Sequence, residues 1–223
     1  MNGSDGIPFE DRKDAGRSLV RHLSRYRGED VLVLGIPRGG VPVAAEVARA
    51  LGAELDVVVA RKLGAPGQEE LAIGAVTANG GEFVNAELVA DLRVSDAYLA
   101  GVRREQIAEA RRREARFRRG RVPLDLRGRV VLLVDDGLAT GATMRAAARS
   151  VRKAGPAKLV IAAPVGAAET CAALRNEADE VVCPNTPEPF AAVGYFYRDF
   201  AATEDAEVER ILDEFAAHRA AAK

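Results

Sequence analysis

Between Val130 and Thr143 the chain reads Val-Val-Leu-Leu-Val-Asp-Asp-Gly-Leu-Ala-Thr-Gly-Ala-Thr, and this run holds the residues best suited to chemistry. Val130 to Val134 has the uncharged, β-branched composition of a strand covered on both faces. Asp135 and Asp136 stand at its carboxyl end, where an open α/β sheet places its ligands. Two adjacent carboxylates supply acceptors for the two hydroxyls of a ribose, directly or through a metal ion. Ala139, Thr140, Gly141, Ala142 and Thr143 then open a helix, whose unsatisfied N–H groups and two threonine hydroxyls suit a phosphate. Capping alone would explain one acid and one threonine at a strand-to-helix turn. Two acids followed by Ala-Thr-Gly-Ala-Thr fit a sugar phosphate better.

Three further clusters accompany this run. Gly35-Ile-Pro-Arg-Gly-Gly40 follows one buried apolar run and precedes a helical one, so it lies at the same sheet edge. Gly39 and Gly40 let backbone approach an anion closely, and Arg38 offers a forked contact to phosphate. Arg61 and Lys62 border a stretch with Gly64, Pro66 and Gly67 that reads as a mobile loop through Leu71, a place from which two cations can face a leaving group. Between Phe190 and Phe200 five aromatic residues cluster. Such rings suit stacking on a flat nitrogenous base.

The Val130–Thr143 run resembles the phosphoribosyl-diphosphate (PRPP) motif of the type I phosphoribosyltransferase family. Arg38-Gly39-Gly40 looks like that family's pyrophosphate loop, and Arg61 and Lys62 fall where its flexible catalytic loop carries a basic residue. Pro184 to Phe200 is similar to the hood of hypoxanthine-guanine members, which by resemblance puts Phe190 on the base and Asp199 near it. The resemblance implies transfer of 5-phosphoribosyl from PRPP to a purine-like base with release of pyrophosphate, as in nucleotide salvage. It makes Asp135, Asp136, Arg61 and Lys62 the catalytic set. Mg²⁺ is expected as cofactor, on Asp135 and Asp136 through water and mainly on substrate oxygens. Ala139 departs from the Asp that 6-oxopurine enzymes carry there, and Gly137 replaces a bulkier apolar residue, so the acceptor base stays open.

These residues need a scaffold, and the apolar periodicity supplies one. Helical spacing over Arg12 to Tyr26, Val41 to Leu51, Ala86 to Gly120, Ala142 to Ala154, Ala167 to Asn176 and Ala206 to Ala222 alternates with strands. The strands read Val31 to Leu34, Asp56 to Ala60, Val130 to Val134, Lys158 to Pro164 and Glu180 to Cys183. Asn79-Gly80-Gly81 marks a hairpin pairing Ile73 to Thr77 with Glu82 to Asn85. The expected class is α/β, a doubly wound, mostly parallel sheet of the type I phosphoribosyltransferase kind with a small C-terminal hood. Residues 1–183 are assigned to the core and 184–223 to the hood and closing helix, within one domain.

Composition bounds the partners. With 223 residues, 32 Lys plus Arg and 33 Asp plus Glu, the net charge of −1 gives no global pull toward nucleic acid or membrane. Arg103 to Arg121 is locally basic, with nine arginines against three glutamates. It reads as a solvated, ion-paired helix or a contact in a homodimer, with a nucleic-acid-binding or PRPP-sensing regulator as the alternative. Cys171 and Cys183 form no metal-ligand spacing with His22 and His218, and two cysteines without a leader point to a reducing cytoplasm. Met1 to Gly6 reads as a loose terminus.

Overall fold

The computed structural model describes residues 8–221, so the Met1–Gly6 expectation lies outside the described residues. The chain runs α1 (Arg12–Leu23), β1 (Val31–Gly35), α2 (Gly40–Leu51), β2 (Glu54–Val57), β3 (Ala60–Ala65), β4 (Gln68–Thr77) and β5 (Glu82–Val84). It continues through α3 (Ala86–Asp91), α4 (Asp96–Arg118), β6 (Val130–Val134), α5 (Ala142–Lys153), β7 (Lys158–Ala162), α6 (Ala168–Leu174), β8 (Glu180–Val182) and α7 (Asp205–Ala221). A five-stranded parallel sheet has the order β2-β1-β6-β7-β8, and a three-stranded antiparallel sheet the order β3-β4-β5. The expected α/β class is borne out.

Helices on both faces explain why the central strands β1 and β6 are apolar throughout. Val33, Leu132, Val134 and Val160 pack toward α1, α2 and α7. Their neighbours Leu32, Leu34, Val131, Leu133, Leu159 and Ile161 pack toward α5 and α6 on the opposite face. Each such side chain contributes about 1.5 to 3 kcal/mol on burial, and β1 and β6 carry no polar side chain until the strand ends. Asp135 is the first residue past that limit in β6.

Two expectations need correction. The segment from Arg61 to Leu71 is not a loop but most of the β3–β4 hairpin, and the second parallel strand ends at Val57, so Arg61 and Lys62 lie in the other sheet. Leu63, Ala65 and Ile73 form an apolar face buried against α3 and α4. The glycines serve that hairpin: Gly67 turns at φ +70°, and a Cβ at Gly64 would meet Glu69 O at 2.7 Å where the register shifts. The single helix expected over 86–120 is two. Arg93 adopts φ +49°, and Ser95 restarts the helix by accepting from Tyr98 N at 3.3 Å.

Arg103, Arg111, Arg112, Arg113, Arg116 and Arg118 of α4, and Arg119 and Arg121 just after it, are taken up within the chain. Arg116 reaches Glu209 at 2.8 Å, and Arg119 and Arg121 reach Asp213, all on α7. Arg118 binds Asp56 at 3.0 Å, Glu114 and Val57 O. Arg103 binds Glu82, Arg111 binds Ala78 O, and Arg112 and Arg113 share Glu109. This basic helix pins α7 and the hairpin to the main sheet. No helix among the described residues is long and apolar enough to cross a membrane.

Candidate active site

From β1 the chain winds outward to β2, and from β6 it winds the other way to β7, so the crevice between β1 and β6 is the switch point of the sheet. The loops after both strands meet there. Gly35 pairs with Val134, and Ile36 N donates to Val134 O at 2.9 Å. A Cβ on Gly40 would stand 2.8 Å from Val134 O and 2.9 Å from Asp135 Cα. One on Gly39 would overlap Asp136 Oδ2. The two glycines therefore let the first loop lie directly on the paired carboxylates. The Pro37–Arg38 peptide joining them to β1 is cis.

Asp136 is gripped by residues far away in sequence. Arg12, set in the first turn of α1 by the Asp11 cap, donates Nε to Asp136 Oδ2 at 2.8 Å and Nη1 to Ala201 O at 2.7 Å. Its guanidinium carbon lies 4.0 Å from the centre of the Phe200 ring. Tyr197 donates its hydroxyl to Asp136 O at 2.6 Å. Asp135 instead turns inward and accepts from Asp136 N at 2.9 Å. Burial, reinforced by the neighbouring Asp136 charge, pushes the Asp135 carboxyl well above the usual carboxylate range. Burial raises Asp136 too, with Arg12 acting against it. Donors arriving at these carboxylates would stabilise charge that the ligand-free protein holds at a cost.

Past the carboxylates, Leu138 is buried while Ala139 and Thr140 are exposed. Gly141 begins α5 at φ +74°, a backbone state in which a side chain is strained, and no side chain among the described residues caps this helix. Its first-turn N–H groups thus remain for another acceptor, which rules out capping as the reason for the two acids and the threonines. Thr170 of α6 steadies the loop by donating to Ala139 O. Gly137 has a local reason as well: a Cβ there would overlap Val193 Cγ1 of the C-terminal segment. The small residue makes room for the hood.

The remaining expected residues fall into two groups. Arg61 and Lys62 line a cavity of about 740 Å³ together with Pro37 of the first loop, Thr143 of α5, and Tyr98 and Gln106 of α4. Arg61 donates to Gln106 Oε1 at 3.1 Å, and burial and nearby Arg113 push its guanidinium below its ordinary value. Lys62 is exposed. Arg38, Phe190 and Asp199 are occupied otherwise. Arg38 stands 3.6 Å from Asp205 of α7, Phe190 stacks on Phe196 at 5.2 Å, and Asp199 accepts from Ala201 N at 2.9 Å. Phe190 belongs to a cluster with Phe9, Val165, Tyr197 and Phe200, so residues near the N-terminus help to build the hood.

Arg12 and Tyr197 are the functional neighbours that sequence reasoning misses. Tyr197 stands in the aromatic cluster but acts through its hydroxyl, and Arg12 has no local signal at all. As for a metal, the described residues hold no group of three or more His, Cys, Asp or Glu side chains able to cage an ion. With one carboxylate committed to Arg12, the pair fits a hard cation that takes most of its oxygen ligands from substrate and water.

An open parallel sheet with its polar groups converging at the switch point defines the class. The family profile described as the phosphoribosyl transferase domain matches residues 10–199. A Mycobacterium tuberculosis H37Rv protein provisionally named a phosphoribosyl transferase is 49% identical over 211 residues, which cover 95% of this chain and 47% of that protein. The chain therefore spans about half the length of the curated relatives it matches. The crystal structure of a Thermus thermophilus protein superposes with a TM-score of 0.78 at 46% identity, covering 93% of this chain and 98% of that one. An Aquifex aeolicus protein shares the fold, with a TM-score of 0.52 at 16% identity over 90% of this chain and 85% of that one. The chain belongs to the phosphoribosyl transferase family.

Proposed function

We propose that this protein transfers 5-phosphoribosyl from PRPP to a ring nitrogen of a purine-like base and releases pyrophosphate. The observation that carries the reading is the meeting of Asp135 and Asp136 with the uncapped N-terminus of α5 at one switch point. In this reading the ribose hydroxyls donate to Asp135 and Asp136, and the 5-phosphate accepts from the N–H groups and hydroxyls of Ala139 to Thr143. The bond from the anomeric carbon to pyrophosphate breaks, a bond to the base nitrogen forms, and the ring N–H proton leaves. Charge on the departing pyrophosphate is met by Arg38, Gly39, Arg61 and Lys62, and fixing the ribose supplies orientation. Mg²⁺, bound mainly through substrate oxygens and water beside Asp135 and Asp136, would screen the phosphates.

Residues 184–223 supply the hood segment and the closing helix, with Phe190 and Asp199 of the hood nearest the base. The stacking of Phe190 on Phe196 means that one ring must yield its partner to the base. The ion-paired state of α4 favours this enzyme over a nucleic-acid-binding regulator. Pyrophosphate release measured with PRPP, Mg²⁺ and a panel of purines and pyrimidines tests the proposal. Base-dependent release is expected, and the absence of release with every base in the panel, together with no PRPP binding, would refute it.

A further inference from the structure

Cys171 lies on α6 and Cys183 directly follows β8, yet the fold closes both sulfurs on the same glycine. A Cβ at Gly166 would stand 2.9 Å from Cys171 Sγ, 3.1 Å from Cys183 Sγ and 2.8 Å from Leu138 Cβ. Both cysteines are free thiols, and Cys183 Sγ is also 3.5 Å from Asn185 O. Cys183 further lines a solvent-open cavity of about 480 Å³ with Arg21, His22, Arg25 and Glu180, which gives a small oxidant a way in.

We propose that Cys171 and Cys183 are an oxidation site that a hydroperoxide converts to an intramolecular disulfide, and that its state is felt by the loop Ala139–Thr143. One cysteine thiolate of the pair attacks one peroxide oxygen, the O–O bond breaks, and the departing oxygen takes a proton to leave as water or an alcohol. The resulting sulfenic acid is then attacked by the other cysteine's sulfur: an S–S bond forms, the S–O bond breaks, and the hydroxyl leaves with that thiol's proton as water. Two thiols are oxidised and one peroxide is reduced. The Cys183 thiol and nearby Arg175 hold the Cys171 thiol below its ordinary value against burial, whereas contact with Cys171 and burial push Cys183 up.

The route to the loop is short. Thr170 precedes Cys171, donates to Ala139 O and rests its Cγ2 where a Gly141 side chain would be, at 2.7 Å. Leu138 N donates to Val165 O at 3.0 Å, Ala167 N donates to Leu138 O at 2.8 Å, and Gly166 N donates to Asn185 O at 3.0 Å. Joining the sulfurs pulls α6 toward the end of β8 and shifts Thr170 against the loop. Only this consequence for ligand affinity rests on the phosphoribosyl reading.

The test treats the reduced full chain with hydrogen peroxide and follows intact mass and linked peptides. Loss of two hydrogens is expected, with a Cys171–Cys183 cross-linked peptide that a dithiol reductant reverses. Either single serine variant should instead lose the cross-link and hold a sulfenic acid at its remaining cysteine, trapped by dimedone. Unchanged mass, a disulfide-linked dimer or direct sulfinic acid in the unmodified sequence would overturn the site. PRPP affinity should fall at least about fivefold on oxidation, the lower end of coupling between sites, and stay constant in peroxide-treated Cys171→Ser. A disulfide with equal affinity would overturn the coupling. Failure of the reduced protein to bind PRPP would count against the function reading, and the mass result would then decide the site by itself.

Discussion

The Arg12 guanidinium holds Asp136 at 2.8 Å, so the second carboxylate of the motif has its counter-charge on the first helix of the chain. Asp135 is bound instead by the backbone N–H of Asp136, and its carboxyl is the one most strongly raised by burial. A carboxyl whose folded value is raised contributes stability below its unfolded value and loses it as pH rises through the folded one. The ligand-free protein should therefore gain stability from this pair as pH falls from neutral into the mildly acidic range. Asp135→Asn should abolish most of that gain and raise neutral-pH stability by about 1 kcal/mol, or roughly 2 to 4 °C for a chain of this size. Arg12→Gln should lower it by about 1.5 to 3 kcal/mol, the range for a hydrogen bond to a charged group. Thermal melts of the three proteins against pH check both signs.

Gly40→Ala and Gly39→Ala should differ. The new methyl at Gly40 meets backbone, Val134 O and Asp135 Cα, which cannot step aside, whereas at Gly39 it meets the Asp136 carboxylate, which can swing off Arg12. Urea unfolding should show Gly40→Ala losing about 1 to 3 kcal/mol, the range for overpacking, and Gly39→Ala less. Equal, negligible losses would mean that the first loop does not rest on the carboxylates.

Legibility of the sequence followed the range of the interactions. The β6 run and its two acids could be read because a strand buried on both faces must be apolar until it ends. The hairpin at Asn79-Gly80-Gly81 was equally plain, and it pairs Gly74 with Val84 as its turn residues require. The β3–β4 hairpin was hidden because Gly64, Pro66 and Gly67 look the same in a bulged hairpin as in a loop, and only packing on α4 decides. Arg12 was invisible for a different reason: it meets Asp136 across 124 positions, and a guanidinium at a helix start carries no mark of its distant partner.

Arg118 should be the arginine of α4 whose loss matters most to stability. It is buried between Asp56 and Glu114, whereas Arg112 is 72% exposed and, among the described residues, pairs with Glu109 on its own helix. Arg118→Ala should cost about 3 to 5 kcal/mol by stranding buried carboxylates. Arg112→Ala should stay within about 0.5 kcal/mol. Chemical denaturation separates the two, and comparable losses would contradict the assignment of α4 as an internal clamp.

Lys62 is exposed beside the cavity it shares with Thr143 and Pro37, so it is free to meet charge that develops late in the reaction. Steady-state kinetics of Lys62→Ala should show kcat falling more than KM for PRPP rises. An intact kcat would reduce this hairpin to a support.

The central claim is that Asp135, Asp136 and the start of α5 form one ribose-phosphate site. Calorimetric titration of PRPP with Mg²⁺ into the unmodified protein, Asp135→Asn and Asp136→Asn tests it most directly. The account predicts saturable binding to the unmodified protein and a loss of about 1 to 3 kcal/mol for Asp136→Asn, the scale of a charged hydrogen-bond partner removed. Equal affinity for PRPP in all three proteins would contradict it.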